Sequence, residues 1–461
     1  MVALVMFGVT LASGGRLLLD ADAYLHVMIG RWIIAHGAVP QHDIFSYSMP
    51  DAPWVAHEWL AAIVFARLHD LFGWPGLAIM TAFCFAAAMG LLTSALLRSL
   101  APSHALIGMA LAAGLCVPHL FARPHVLSWP LLVIWLAELS AARAEQRTPR
   151  WFAALLMLPW ANVHGSFVFG LAMAALVAGE AVLEASDWAQ AARVARGWGL
   201  FGALSLAAAL ATPYGIDGLL LPFRLVHMDF AMSVTREWQS PNFQLPQPLE
   251  PWLMLLLLGA LTLRLRLPVT RIAMLLLLLH MALQHQRHAE LLGLTAPLLL
   301  APSLAAQLPR KALAAADRRL AALAGSARIG GTALVGLLML ALSGIMIGAG
   351  IVPRNGPRAP AEALAFAQSQ GLTGPVFNDI NFGDYLIFVG IAPFIDGRID
   401  MYGDGFVRRY ANVGEFPGLA AQYGFTWAVL SPRNPHVPLL DHLTGWRRAQ
   451  TDNDAVVYVR E

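Results

Sequence analysis

At 461 residues, with 58% hydrophobic and 13% charged residues and a mean hydropathy of +0.61, the chain lies well outside the usual composition of soluble domains and reads as a polytopic membrane protein. A net charge of +2, carried almost entirely by Arg with Lys311 as the one lysine, gives no footing for a nucleic-acid partner. Cys84 and Cys116 both sit in apolar runs, which excludes a disulfide framework and a cysteine zinc cluster.

The opening stretch through Leu19 is apolar but interrupted by Gly14, Gly15 and Arg16. Small residues at Ala12, Ser13 and Gly14 would allow a cleaved signal peptide. The reading adopted is a retained first helix, with a start earlier than Met1, because it keeps Asp20 tethered at the membrane face. A spanning helix needs about twenty mostly apolar residues. Further spans are predicted near 75–97, 104–122, 125–142, 151–166, 167–185, 198–214, 251–267, 270–285, 290–306 and 329–351, which makes about eleven with the first. The stretch 55–72 carries His57, Glu58, Arg67, His69 and Asp70, and is read instead as a helix lying along the interface.

With 55–72 on the outer surface, one side receives Arg98, Arg143, Arg147, Arg150, Arg193, Arg196, Arg264, Arg266, Arg271, Arg310, Lys311, Arg318, Arg319 and Arg328. The other receives Arg16, Arg31, Arg67, Arg123, Arg224, Arg236 and Arg287. Fourteen against seven makes the first side cytoplasmic. The polar clusters that interrupt the apolar runs then all fall on the outer face: DADAYLH at 20–26, HEWL at 57–60, RPH at 123–125, NVHG at 162–165, TPYG at 212–215, REW at 236–238 and QHQRH at 284–288. Ionisable groups at membrane depth are costly and usually line a cavity or pathway, so a shared outer pocket is expected.

After Val352 a Pro/Gly/Arg linker opens a segment with the balance of a soluble domain. The division predicted is a transmembrane part over 1–352 and a small extracytoplasmic α/β domain over 353–461, with a helix at 361–370, strands at PVFND, PFIDGR, WAVLSP and AVVYVRE, and a helix at HVPLLDHL. Its polar signature, DGRIDMYGD, holds Asp396, Arg398, Asp400, Tyr402 and Asp404; a turn held by Asp and Arg and a substrate contact are both open. No phosphate-binding glycine loop or dinucleotide fingerprint is present in the sequence, so no nucleotide cofactor is indicated.

The first outer loop, 20–72, gathers Asp20, Asp22, Asp43, Asp51, Glu58 and Asp70 with five of the fifteen histidines. Carboxylates and imidazoles at an interface can deprotonate an acceptor hydroxyl or hold a divalent cation against a phosphate. Asp22, one turn before His26 on a predicted helix, is the strongest candidate. Arg123 and Arg287 would be expensive beside lipid unless paired. Either can fork hydrogen bonds to a lipid phosphate, or form an ion pair with Glu58, Glu237 or Glu290. Asn162 and His164 suit a polar pocket wall, and TPYG a helix end.

The order D-A-Y-L-H, G-R-W-I, P-Q-H-D-I-F-S-Y-S, W-V-A-H-E-W-L, then R-P-H-V-L-S, N-V-H-G-S-F, T-P-Y-G, R-E-W-Q-S-P, F-N-D, G-D-Y-L and I-D-G-R-I-D-M-Y-G-D resembles a bacterial group of multi-spanning proteins related to the GT-C superfamily of polyprenyl-phosphate-dependent glycosyltransferases. The resemblance implies a GT-C-like helical fold whose first outer loop opens with an acid and carries two interfacial helices, here 24–36 and 55–72. It implies Asp22 as the catalytic carboxylate, supported by Asp20 and Glu58, acting as base toward the acceptor or as ligand of a divalent cation (Mg or Mn) in metal-dependent branches. Asp22, His57 and Glu58 are then the candidate metal ligands. Tyr24 and Leu25 stand where relatives often carry a pair of tryptophans.

The expected function is an inverting glycosyltransferase of the bacterial inner membrane, moving a hexosyl or pentosyl group from a polyprenyl phosphate to an extracytoplasmic glycan, lipid or protein acceptor. Catalysis is assigned to Asp22, Asp20 and Glu58, and substrate contact to His26, His57, Arg123, His125, Asn162, His164, Glu237 and Arg287. A transporter or flippase of lipid-linked glycans would more naturally show inverted repeats and charges at mid-membrane, which the sequence lacks. A non-catalytic envelope assembly factor is the third reading, and Asp22→Asn would then be silent.

Overall fold

The computed structural model describes residues 1–263, 265–307 and 329–461. Arg264, Arg310, Lys311, Arg318, Arg319 and Arg328, six of the basic residues counted as cytoplasmic, lie outside the described residues. The chain divides into two compact units: Met1–Leu17, Ala78–Leu219 and Thr235–Val352 form one, and Leu18–Leu77, Leu220–Val234 and Pro353–Glu461 the other. Pro353–Glu461 thus folds together with the first loop and Leu220–Val234 rather than by itself.

The first unit is helical and apolar. Among the described residues, four helices are long and apolar enough to cross a membrane, Trp59–Leu96, Pro124–Ala144, Gln286–Gln307 and Gly330–Gly348, and five apolar helices are shorter. The predicted spans do not each return as one long helix. The stretch 151–166 is a 3-10 turn, Trp151–Leu156, running into a helix, Met157–Val163; the first helix is Val2–Leu11, followed by a 3-10 turn, Gly14–Leu18. On the Ile329–Gly348 helix Leu334, Leu337, Leu340 and Ile345 are exposed, as lipid-facing positions should be. Trp129, Trp135 and Trp160 fill the interior. Buried charge is paired there: Glu180 accepts from Arg271 Nε and Nη2, Arg143 Nε and Thr270 Oγ1, tying three helices.

The second unit joins two helices of the first loop to a small sheet. The helix Asp22–His36 ends at Gly37 in the left-handed region. The next helix starts at Trp59, after a turn at His57 and Glu58, and breaks at Gly73 (φ 62), where the predicted interfacial helix and the following span meet. Gly30 brings the two helices together, since a Cβ there would stand 2.0 Å from the Ala62 carbonyl oxygen. The sheet has the order β1-β2-β4-β3, with β1 (Val376–Asn378) parallel to β2 (Trp427–Leu430), and β2 and β3 (Trp446–Thr451) both antiparallel to β4 (Val456–Arg460). β1, at one edge, and its neighbour β2 are buried on both faces, as strands of a sheet covered on two sides are. One face packs on Leu364, Ala367 and Leu386; on the other, Phe377 is ringed by Phe394, Phe416 and Phe425.

One predicted strand is overturned. PFIDGR is not in the sheet, because side chains take over the role of a strand partner: Asn378 Oδ1 accepts the Phe394 N–H and its Nδ2 donates to the Ile395 carbonyl, while Ser48 Oγ donates to the Phe394 carbonyl. Elements of this segment absent from the prediction include β3 and the helices Ile380–Phe388, Ile399–Ala411 and Phe416–Tyr423. The Ile380–Phe388 helix reaches this extended segment at Gly383, where a Cβ would stand 2.2 Å from the Ile395 carbonyl oxygen. Gly383→Ala is therefore expected to destabilise the unit by about 1–3 kcal/mol through overpacking, read as a lowered thermal midpoint of the purified protein.

Candidate active site

Asp20 Oδ1 accepts the Asp22 N–H at 3.0 Å, which satisfies a donor at the helix start and fixes where the Asp22–His36 helix begins. Asp22 therefore stands in the first turn, where the helix dipole favours a negative charge, with His26 one turn on along the same face. His26 Nε2 is 3.5 Å from Glu58 Oε2, and His57 Nε2 is 3.7 Å from Glu58 Oε1. Asp22, His26, His57 and Glu58 line one cleft of about 150 Å³, together with Trp54, Arg398 and Asp400. Five sequence candidates thus assemble: four line the cleft and Asp20 positions one of them.

The DGRIDMYGD segment supplies both support and lining. Arg398 is 3% exposed and forks onto Asp396, Nε to Oδ1 at 2.8 Å and Nη2 to Oδ2 at 2.6 Å, while its Nη1 donates to Asp43 at 2.6 Å. Its guanidinium also lies 4.8 Å from the Trp54 ring centroid. Burial disfavours the charge, but Asp396 and Asp43 more than compensate and hold Arg398 protonated. Tyr402 donates to Asp396 at 2.8 Å. Asp400 opens on the cleft; burial raises its pKa, and the neighbouring His57 and Arg398 oppose that rise. Within this segment Asp396, Arg398 and Tyr402 hold one another by hydrogen bonds, and Arg398 and Asp400 line the cleft.

Sequence reasoning missed Asp384. It is 2% exposed and accepts the Gly397 N–H at 2.9 Å. Burial, then the charges of Asp22 and Asp396, push its pKa well above the ordinary carboxylate range. Its signal was the G-D-Y-L string, an acid inside an otherwise apolar run.

The metal-ligand expectation does not fit this arrangement. Among the described residues no three His, Cys, Asp or Glu side chains are grouped to hold one ion, so Asp22, His57 and Glu58 do not form a ligand set as placed.

The remaining candidates belong to the other unit. Arg123, at the N-cap of the Pro124–Ala144 helix, donates to Glu237 Oε2 at 2.7 Å, and Arg287 Nη1 donates to Glu237 Oε1 at 3.1 Å. Of the ion-pair partners the sequence left open, Glu237 is thus shared by both arginines. Arg287 also lies 4.4 Å from the Trp238 ring centroid. His125 Nε2 donates to the His119 carbonyl at 2.8 Å and stands 3.7 Å from Glu290. His164 Nδ1 pairs with Ser166 Oγ at 2.9 Å, and Ser166 donates through Ser128 to the His125 carbonyl. Asn162 Nδ2 donates to the carbonyls of Leu158 and Ala211, tying NVHG to the chain just before TPYG.

No protein-family model and no curated protein sequence matches the chain. Solved structures do. The archaeal oligosaccharyltransferase AglB from Archaeoglobus fulgidus, in complex with an inhibitory peptide and a dolichol-phosphate, matches over 93% of this chain and 69% of its own, at a TM-score of 0.56 and 10% identity. ArnT from Cupriavidus metallidurans bound to undecaprenyl phosphate matches over 99% of this chain and 96% of its own, at a TM-score of 0.51 and 16% identity. ArnT in the apo state gives 0.53 over the same shares. The chain has a GT-C fold. At these identities the likeness is one of fold, and a GT-C fold by itself assigns no reaction.

Proposed function

We propose that the protein is an integral-membrane glycosyltransferase that takes a sugar from a polyprenyl phosphate and passes it, with inversion, to a hydroxyl of an extracytoplasmic acceptor. In this reading the chain crosses a bacterial inner membrane about eleven times, with the first loop and the C-terminal segment outside. The observation that carries it is Asp22, an acid in the first turn of a helix that lines a cleft with His26, His57 and Glu58 on a GT-C fold. The Asp22 carboxylate takes the proton of the acceptor hydroxyl as that oxygen bonds to the anomeric carbon. The bond from that carbon to the phosphate oxygen breaks, and polyprenyl phosphate leaves with the electron pair. Glu58 with His26 and His57 orients hydroxyls in the cleft, and Asp20 keeps the helix start in place.

The deciding experiment is mass spectrometry of cell-envelope glycans and lipid-linked sugars in a deletion strain complemented with wild type or Asp22→Asn. Loss of one sugar from a glycan, with accumulation of the matching lipid-linked sugar, is the expected result for the variant. Identical glycans from the two would remove the base assignment. Transfer abolished by a chelator and restored by Mn²⁺ would recast Asp22 as a metal ligand.

The Arg123–Glu237–Arg287 cluster is the part of the other unit suited to a phosphate, because two guanidinium groups converge on one carboxylate there and a guanidinium forks hydrogen bonds to phosphate oxygens. With the accumulating lipid-linked sugar as donor, Arg123→Ala and Arg287→Ala are each expected to raise the donor KM about 10- to 100-fold, the worth of a hydrogen bond to a charged group. An unchanged KM would make the cluster structural.

A further inference from the structure

The Arg123–Glu237–Arg287 cluster differs from the ion pair that ties helices together in the same unit. The side chains of Arg271 and Glu180 are 8% and 1% exposed, whereas those of Arg123, Glu237 and Arg287 are 25%, 28% and 28% exposed. An ion pair that water reaches contributes little to stability, so it opens at small cost. Each oxygen of the Glu237 carboxylate accepts from a different arginine, Oε2 from Arg123 Nη1 at 2.7 Å and Oε1 from Arg287 Nη1 at 3.1 Å, as two oxygens of one phosphate would. Both arginines stand at helix starts: Arg123 is the N-cap of Pro124–Ala144, and Arg287 lies in the turn that leads into Ala289–Gln307. Helix starts favour an anion, and the anion held by these arginines is Glu237 itself.

The main chain beside Glu237 is fixed by other bonds. The Gln286 N–H donates to the Gln239 carbonyl at 3.0 Å, Ser240 Oγ donates to the Gln284 carbonyl at 3.1 Å, and His285 Nδ1 pairs with the Trp238 carbonyl. Arg287 also keeps the Trp238 ring, 4.4 Å from its guanidinium, as a second support. The glutamate side chain can therefore leave while the segment and Arg287 stay in place.

We propose that Glu237 is a built-in competitor for the lipid phosphate: its carboxylate holds the place of the phosphate between Arg123 and Arg287, turns out to water when the polyprenyl phosphate group binds, and returns as the product leaves. The inference rests on the reading of these arginines as the phosphate site. The donor is a phosphodiester with a single negative charge, whereas the lipid released by transfer is a monoester carrying about −1.5 to −2. The arginines would hold that product harder than the donor, and the returning carboxylate opposes this.

The test is one of binding and needs no sugar. Purified full-length protein in dodecyl maltoside micelles is titrated calorimetrically with geranyl phosphate, a short polyprenyl monophosphate, and with geraniol as the control that lacks the phosphate. Glu237→Gln keeps the shape of the side chain and removes its charge. It is expected to lower the Kd for geranyl phosphate by about 10-fold or more, because a like charge set against a bound anion costs at least that. Geraniol should be unaffected, and adding Arg287→Ala should abolish the gain. A Kd that is unchanged or higher in Glu237→Gln, the result for a purely structural ion pair, overturns the proposal, as does a gain that survives in the double variant. A gain for dioctanoyl phosphatidic acid and none for geranyl phosphate would give the place to an ordinary lipid headgroup and overturn the polyprenyl assignment. Should Glu237→Gln not fold, Glu237→Asp, whose carboxylate stops one methylene short of the arginines, must show a smaller gain of the same sign. If Arg123→Ala and Arg287→Ala leave both the donor KM and the geranyl phosphate Kd unchanged, the phosphate reading itself falls; raised values with no gain in Glu237→Gln remove only the exchange.

Discussion

Asp22→Asn is expected to lower sugar transfer by about 10²- to 10⁴-fold, the contribution a positioned general base makes to a rate. The substitution is close to isosteric, and the bond that sets the helix start runs from Asp20 Oδ1 to the main-chain N–H of residue 22, which the asparagine retains. The helix, its Gly37 cap and the contact at Gly30 depend on no charge at position 22. Membrane insertion and the thermal midpoint should therefore match wild type, and the loss should appear in kcat with little change in KM. Asp22→Glu keeps the acid but displaces it by one methylene, so it should recover part of the rate. An Asp22→Asn protein of normal stability and normal transfer would move the chemistry to another acid of the cleft, with Glu58 and Asp400 the first to examine.

The cleft was only partly legible in the sequence, and the reason is distance along the chain. Asp20, Asp22, His26, His57 and Glu58 fall within one loop, where helical spacing and the crowding of acids and histidines mark them. Asp384, Arg398 and Asp400 come from more than 300 residues away, and no periodicity relates them to that loop. The missed helix Ile399–Ala411 begins inside DGRIDMYGD, whose glycines and acids read as a turn, and Gly403 at φ 76 does break it. PFIDGR failed for the opposite reason. Its apolar residues are buried as a strand's would be, but Asn378 supplies the hydrogen bonds, and a side-chain partner leaves no trace in hydrophobic pattern. In the helical unit, apolar runs located the helices, whereas the breaks at 3-10 turns follow from packing that the pattern does not record.

Arg398→Met is expected to destabilise the unit that contains the cleft by about 3–5 kcal/mol, because it leaves Asp43 and Asp396 buried without their shared cation. Methionine replaces most of the side-chain volume, so the loss reports charge and hydrogen bonding rather than a cavity. Asp43 is itself held by the N–H groups of Phe45 and Ser46 and by the Ser46 hydroxyl, so it cannot turn toward water. Arg398→Lys keeps the charge but not the fork that meets both acids, and should lie between the two. The double variant Asp43→Asn/Arg398→Met should recover part of the loss, since the acid stranded by the first change is removed by the second. Thermal unfolding and limited proteolysis of the purified full-length protein measure the series. An Arg398→Met protein as stable as wild type would mean that the other ties between these segments, Tyr47 to the Val376 carbonyl and Ser48 to the Phe394 carbonyl, are sufficient by themselves. If the loss is found, the first loop acquires its active shape only when residues about 355 positions downstream have folded onto it, and an acid at position 22 can work only in a chain whose C-terminal segment is in place.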